Sequence, residues 1–191
     1  MKKLLAIGLL ASLSWSTQAD WILNNADTAV SFVTIKSNHI AEVSRFKQVE
    51  GIINAQGNAE IKIDLSSVDT LIPIRDERMQ AHLFETETYS HATIKAQLDV
   101  AKLDQLAAGQ MMSLELVGQL NLHGEDQAVQ TTVTVSRLSD TQLLVASQKP
   151  IVVDAQKYKL ADGVNTLREI AGLSSISYAV PVNFVLSFNN Q

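Results

Sequence analysis

The sequence predicts an all-β fold, an antiparallel barrel of about eight strands with one or two short helices, and three observations carry that expectation. From Asp20 onward apolar residues recur at every second position, the period of strands with one face buried. Turn-forming groups such as Gln56-Gly57-Asn58 and His123-Gly124-Glu125-Asp126 separate the alternating runs. Helical periodicity is confined to short stretches. The 191 residues, 46% hydrophobic and 18% charged, suit one domain with a single core and no disordered tract.

The N-terminus reads as an export signal. Lys2 and Lys3 precede the apolar run Leu4 to Leu13, and Thr17-Gln18-Ala19 supplies the small residues of a cleavage site. Ten apolar residues fall short of the roughly 20 needed to span a bilayer. The expected division is therefore residues 1–19 as signal peptide and 20–191 as the barrel domain, with the periplasm as destination. Cleavage after Ala19 removes two lysines and takes the net charge from −5 to −7.

In order, Ala29 to Lys36 is a β-branched strand, and Val49 to Ala55 with Glu60 to Leu65 forms a hairpin around Gly57. Pro73 suits a first helical turn, and good helix formers continue from Ile74 to Phe84, with Ile74, Met79 and Leu83 able to share a face. His91 to Val100 alternates strictly. Ala101 to Ala108 reads as one or two helical turns ending at Gly109. Met112 to Leu122 and Val129 to Val135 form a second hairpin, and Asp162 to Gly172 reads as a loop with a helical turn. Ile176 to Phe188 alternates over thirteen residues, long enough to wrap a barrel, and Pro181 within it predicts a bend, a bulge or a weakly paired edge.

A barrel of this size either fills with side chains or holds one small ligand. Aromatic residues are only 5% of the chain, which hints at vacancy, but aliphatic residues also build ordinary packed cores, and period alone favours the filled reading.

Ser66-Ser67-Val68-Asp69-Thr70, then Arg75-Asp76, Phe84 and Tyr89, form an ordered set that resembles the YceI-like family of secreted bacterial proteins. Val30-Ser31-Phe32, His39-Ile40, Phe46, Glu50-Gly51 and Gly118 to Gly124 extend the resemblance over most of residues 20–188. It implies a lipocalin-like, extended barrel whose apolar tunnel binds a polyisoprenoid or similar lipid, and so raises the hollow reading above the filled one. Three positions depart from the family pattern. Arg78 stands where a histidine is usual, Ser44-Arg45 replaces a glycine motif, and Ser90 replaces a proline. A head-group contact made by that histidine does not carry over.

The expected function is a periplasmic binding or carrier protein for a long isoprenoid or other lipid, quinone-like or polyprenyl. The alternatives are an enzyme acting on a lipid-like substrate in the same cavity and, more remotely, an outer-membrane barrel. Candidate tunnel residues are Phe32, Phe46, Ile61, Ile63, Met79, Leu83, Phe84, Ile94, Leu98, Leu116, Leu120, Tyr178, Val180 and Phe184, with His39, Arg75 and Asp76 as head-group contacts. For each tunnel residue the competing reading is ordinary core packing.

Other chemistry lacks a motif. The chain has no cysteine, and the four histidines His39, His82, His91 and His123 show no metal-ligand spacing, so no metal site is expected. His91 and His123 are expected to face solvent. No nucleophile elbow or phosphate-cradling glycine loop occurs, so no catalytic residue is assigned; Ser66, Ser67, Asp69 and His82 could converge only through the fold. No cofactor is required beyond a bound isoprenoid lipid or quinone. Acidic charge argues against nucleic acid. Transient membrane contact and a homodimer through an exposed strand or loop are both compatible with the sequence.

Overall fold

Residues 20–190 are described in the computed structural model, where the alternating segments pair as twelve strands: β1 (Trp21–Leu23), β2 (Ala29–Lys36), β3 (Ile40–Phe46), β4 (Val49–Ile53), β5 (Asn58–Asp64), β6 (Val68–Asp69), β7 (His91–Gln97), β8 (Met111–Leu122), β9 (Glu125–Ser139), β10 (Gln142–Ser147), β11 (Ile151–Asp154) and β12 (Ala179–Asn190). They occupy eight positions of a closed antiparallel barrel, because several are two halves of one bent strand. β1 and β2 lie along the same flank of β12, at Leu23–Phe188 and Val30–Phe184. β4 pairs with β1 and β3 with β2, while β5 follows β4 and β6 follows β3. β10 and β11 share the opposite flank of β12. The cycle β1–β4–β5–β7–β8–β9–β10–β12 closes on itself, so each of its strands is paired on both sides, while β3 before Arg45 pairs with β2 alone.

Polar side chains make the bends. Asn25, between β1 and β2, donates to the Lys47 carbonyl and accepts from the Val49 amide. The buried Ser67 hydroxyl accepts from the Lys47 and Gln48 amides and donates to the Asp64 carbonyl at 2.6 Å. Kinks in three neighbouring strands are thereby stitched together, and the Lys47, Gln48 and Val49 amides at the break all find side-chain acceptors.

At the lower end, α2 (Val100–Asp104) and the following turn seal the barrel with the buried Leu103 and Leu106. Arg137 lies over the Trp21 ring at 5.7 Å and donates to the Leu103, Leu106 and Asp140 carbonyls. The upper end is covered by α1 (Pro73–Met79), the turn Gln80–Phe84 that continues it, and α3 (Ala161–Ile170).

The structure revises several sequence expectations. The helix over Ile74 to Phe84 is α-helical only to Met79, and its last five residues widen so that the Glu85 amide donates to the Gln80 carbonyl. Five-residue spacing stacks Met79 and Phe84, both buried. The loop expected over Asp162 to Gly172 is a ten-residue helix closed by Gly172 at φ 63°. The lower helix is shorter than Ala101 to Ala108. The strand from Ile176 begins as an isolated Ile176–Lys36 bridge; its ladder with β2 resumes at Val182–Phe32 with the register shifted, and Pro181 stands in that gap. The signal-peptide expectation for residues 1–19 lies outside the described residues.

Candidate functional site

The inner face of the barrel is built by strand alternation. Val30 and Phe32 of β2, Ile61 and Ile63 of β5, Leu116 and Leu120 of β8, and Phe184 and Leu186 of β12 all turn the same way. These side chains do not meet at the axis. They enclose a cavity of about 220 Å³ that reaches from Leu103 and Phe188 near the floor to Leu83, Phe84 and Val164 under the upper helices. Among the described residues Thr131 supplies the only polar side chain of the wall, and its hydroxyl is spent on the Thr132 and Lys149 carbonyls. An apolar space of roughly 150 Å³ is already enough to stay dry and admit a benzene ring, so this one suits a hydrocarbon.

Twelve of the fourteen tunnel candidates line the cavity: Phe32, Phe46, Ile61, Ile63, Leu83, Phe84, Ile94, Leu98, Leu116, Leu120, Val180 and Phe184. Met79 and Tyr178 do not. Met79 is buried on α1, and Tyr178 donates its hydroxyl to Asn165 of α3 at 3.0 Å. Sequence reasoning passed over the wall residues of β10 and β11, such as Leu143 and Ile151, whose strands are too short for alternation to stand out. It also passed over Leu160 and Val164, which drop from the lid.

Phe32, Phe46 and Phe84 form a ladder of rings, with centroids 5.3 and 5.8 Å apart, at the upper part of the wall. Beyond Phe32 the same face of β2 continues through Thr34 to Lys36, which bonds Glu42 at 2.8 Å. Arg75 of α1 meets the other oxygen of that carboxylate at 2.6 Å. The Lys36 hydrogen bond, helped by the Arg75 charge and opposed by partial burial, holds the Glu42 carboxyl below its usual range. The rim is thus a cation–carboxylate–cation cluster, of which only Arg75 was picked out in the sequence.

The other head-group candidates have different placements. Asp76 accepts from the Thr70 amide at 2.9 Å and its hydroxyl at 2.6 Å, so it builds the turn before α1. His39 is exposed in the β2–β3 turn. His123 is a correction: it was expected in solvent, yet its side chain is only 10% exposed, packed on Tyr89 with ring centroids 4.2 Å apart and 3.7 Å from Glu85. The two-residue turn His123-Gly124, with φ 53° and 77°, folds the ring inward. Ser66, Ser67 and Asp69 are engaged in turn bonds with Asp64, Lys47, Gln48, Leu71 and Arg45. Among the described residues, no three His, Asp or Glu side chains are grouped to hold a metal ion.

The sequence profile of the YceI-like domain matches residues 21–188. Among solved structures, the chain is similar to a polyisoprenoid binding domain from Saccharophagus degradans implicated in plant cell wall breakdown, with 39% identity, TM-score 0.88, and coverage of 90% of this chain and 98% of that one. It is similar in fold to BcnA from Burkholderia cenocepacia, at 19% identity and TM-score 0.67 over 86% of this chain and 98% of that one. A YceI protein from Campylobacter jejuni shares 14% identity and TM-score 0.56 over 78% of this chain and 84% of that one. No curated protein matches the sequence.

Proposed function

The chain belongs to the YceI-like family, and from that premise we propose that it is a periplasmic carrier that holds a long isoprenoid or similar lipid in its barrel. The observation that carries the reading is the apolar cavity running from floor to lid, whose polar lining residue Thr131 has its hydroxyl bonded to backbone carbonyls. Each methylene moved into it from water contributes about 0.8 kcal/mol, so a long tail binds firmly with few polar contacts. The relative at 39% identity is described as binding a polyisoprenoid, which supports the same ligand class here. Lys36, Glu42 and Arg75 lie where the apolar wall gives way to charge, and suit a head group that remains in water while its tail is buried. The apparent export signal supports the compartment.

The test is organic extraction of the natively purified protein, with mass spectrometry of what co-purifies. A polyprenyl or quinone-like ion in near-stoichiometric amount is expected, and its chemical alteration with time would instead indicate an enzyme. Leu116→Arg places an unpaired cation among carbon atoms and should abolish the bound lipid; a folded variant that still retains it would overturn the cavity assignment.

A further inference from the structure

We infer that the end of the barrel formed by the β2–β3 hairpin and the β6–α1 loop docks on the surface of a lipid bilayer, an inference that rests on the carrier reading and names the partner of its upper end. Large apolar side chains stand exposed there on two adjacent segments: Val43 at 69% on the outer face of β3, with Ile40 at 50% on the opposite face beside the hairpin turn, and Leu71 at 82%, Ile72 and Ile74 on the loop and first turn of α1. Ion pairs Arg45–Asp69 and Arg75–Glu42 hold the segments together. If the β3–β6 ladder is extended past Arg45–Asp69, Leu71 falls opposite Val43.

Leu71 is the informative residue. Its backbone is left-handed at φ 61°, and it is the only apolar residue among the described non-glycine positions with positive φ; the others are Ser37, Asn38, Glu85, His123 and Lys159. Leucine is poorly suited to this conformation and to this exposure, whereas asparagine or aspartate tolerates both. The loop nevertheless fixes it outward: the Leu71 amide donates to Asp69, and Thr70 is doubly bonded to Asp76. A local rule broken with no return inside the fold points to a partner outside it.

The shape and charge of the patch favour a bilayer. Its apolar groups project singly from a loop tip and a hairpin and form no groove, which suits a penetrable medium. They are also far fewer than the 20–30 residues per side of a stable protein interface. Residues 36–47 and 69–79 carry five basic against four acidic side chains in a chain of net charge −5, so this end of an acidic molecule is not itself acidic and does not repel anionic head groups. The same segments border the helix that covers the cavity, placing bilayer and tunnel end to end.

Co-sedimentation with vesicles of phosphatidylethanolamine and phosphatidylglycerol tests this. The purified protein should pellet with vesicles, and Leu71→Asp and Val43→Asp should each reduce the pelleted fraction at least fivefold. Both variants should keep the wild-type melting temperature and extractable lipid content, since neither site is buried. A wild-type protein that stays in the supernatant, or variants that pellet equally, would overturn the proposal. A concentration-dependent dimer in sedimentation velocity, lost in Leu71→Asp without vesicle binding, would also overturn it by giving the patch to a second copy. Vesicle binding with no extractable lipid would defeat the carrier reading and leave the docking surface standing.

Discussion

Glu42 shows how one side chain can tie the rim together. It answers Lys36 from its own hairpin and Arg75 from α1, and the resulting pKa lies below the ordinary carboxylate value near 4.5. A carboxyl depressed in the folded state is protonated more readily in the unfolded chain. Its contribution is therefore complete above about pH 4.5 and is lost as pH falls through the lower folded value. Asp69 is shifted the same way, first through the Leu71 amide and then through Arg45. Urea unfolding at pH 7 and pH 3 should show a smaller acid-induced loss of stability for Glu42→Gln than for the wild type. Equal losses would mean that the triad adds nothing to holding α1 on the hairpin. Solvent screens the cluster, since Glu42 and Arg75 are each about one-third exposed.

The lid depends on a close approach between two elements. A Cβ on Gly163 of α3 would lie 2.5 Å from the His82 carbonyl oxygen and 2.8 Å from the Leu83 Cα, so the helix rests directly on the widened turn that delivers Leu83 and Phe84 to the cavity. Gly163→Ala should improve helix propensity by about 1 kcal/mol, yet overpacking costs about 1–3 kcal/mol. The net expectation is a loss of about 1 kcal/mol, with faster amide exchange over residues 80–85; a stabilised variant with unchanged exchange would show that α3 can slide. Strands β7, β8 and β9 were legible because long alternation records which face is buried, and the two-residue turn at His123-Gly124 was legible as a turn. α3 was not, since Gly163, Asn165 and Thr166 are weak helix formers placed by tertiary fit. Lys36 and Glu42 were also missed, because nothing local says that a β2 residue continues the inner wall and an α1 arginine will meet its neighbour. The aliphatic wall was visible in the sequence, whereas the empty space inside it depends on distances across the barrel that no local pattern encodes.

At the scale of the molecule, the barrel keeps an apolar space that a tightly packed interior would have filled. Packed cores leave few voids larger than a water molecule, so the floor-to-lid cavity costs stability in the unliganded protein through dispersion contacts that its wall does not make. The closed strand cycle and the buried residues at its ends, Phe188, Leu143 and Leu65 among them, must hold the cylinder open without help from the middle. A bound tail supplies the missing contacts, and a ligand that binds only the folded state adds RT ln(1 + [L]/Kd), about 2.7 kcal/mol at a hundredfold excess over Kd. For a domain of this size each kcal/mol moves the midpoint by about 2–4 °C. The lipid-extracted protein should therefore melt about 5–10 °C below the loaded form and recover that interval when a polyprenol is added back. Scanning calorimetry on loaded, extracted and reloaded samples measures it. A midpoint that stays constant across all three would mean that the cavity is sealed against hydrocarbon, and that the space has a purpose other than carriage.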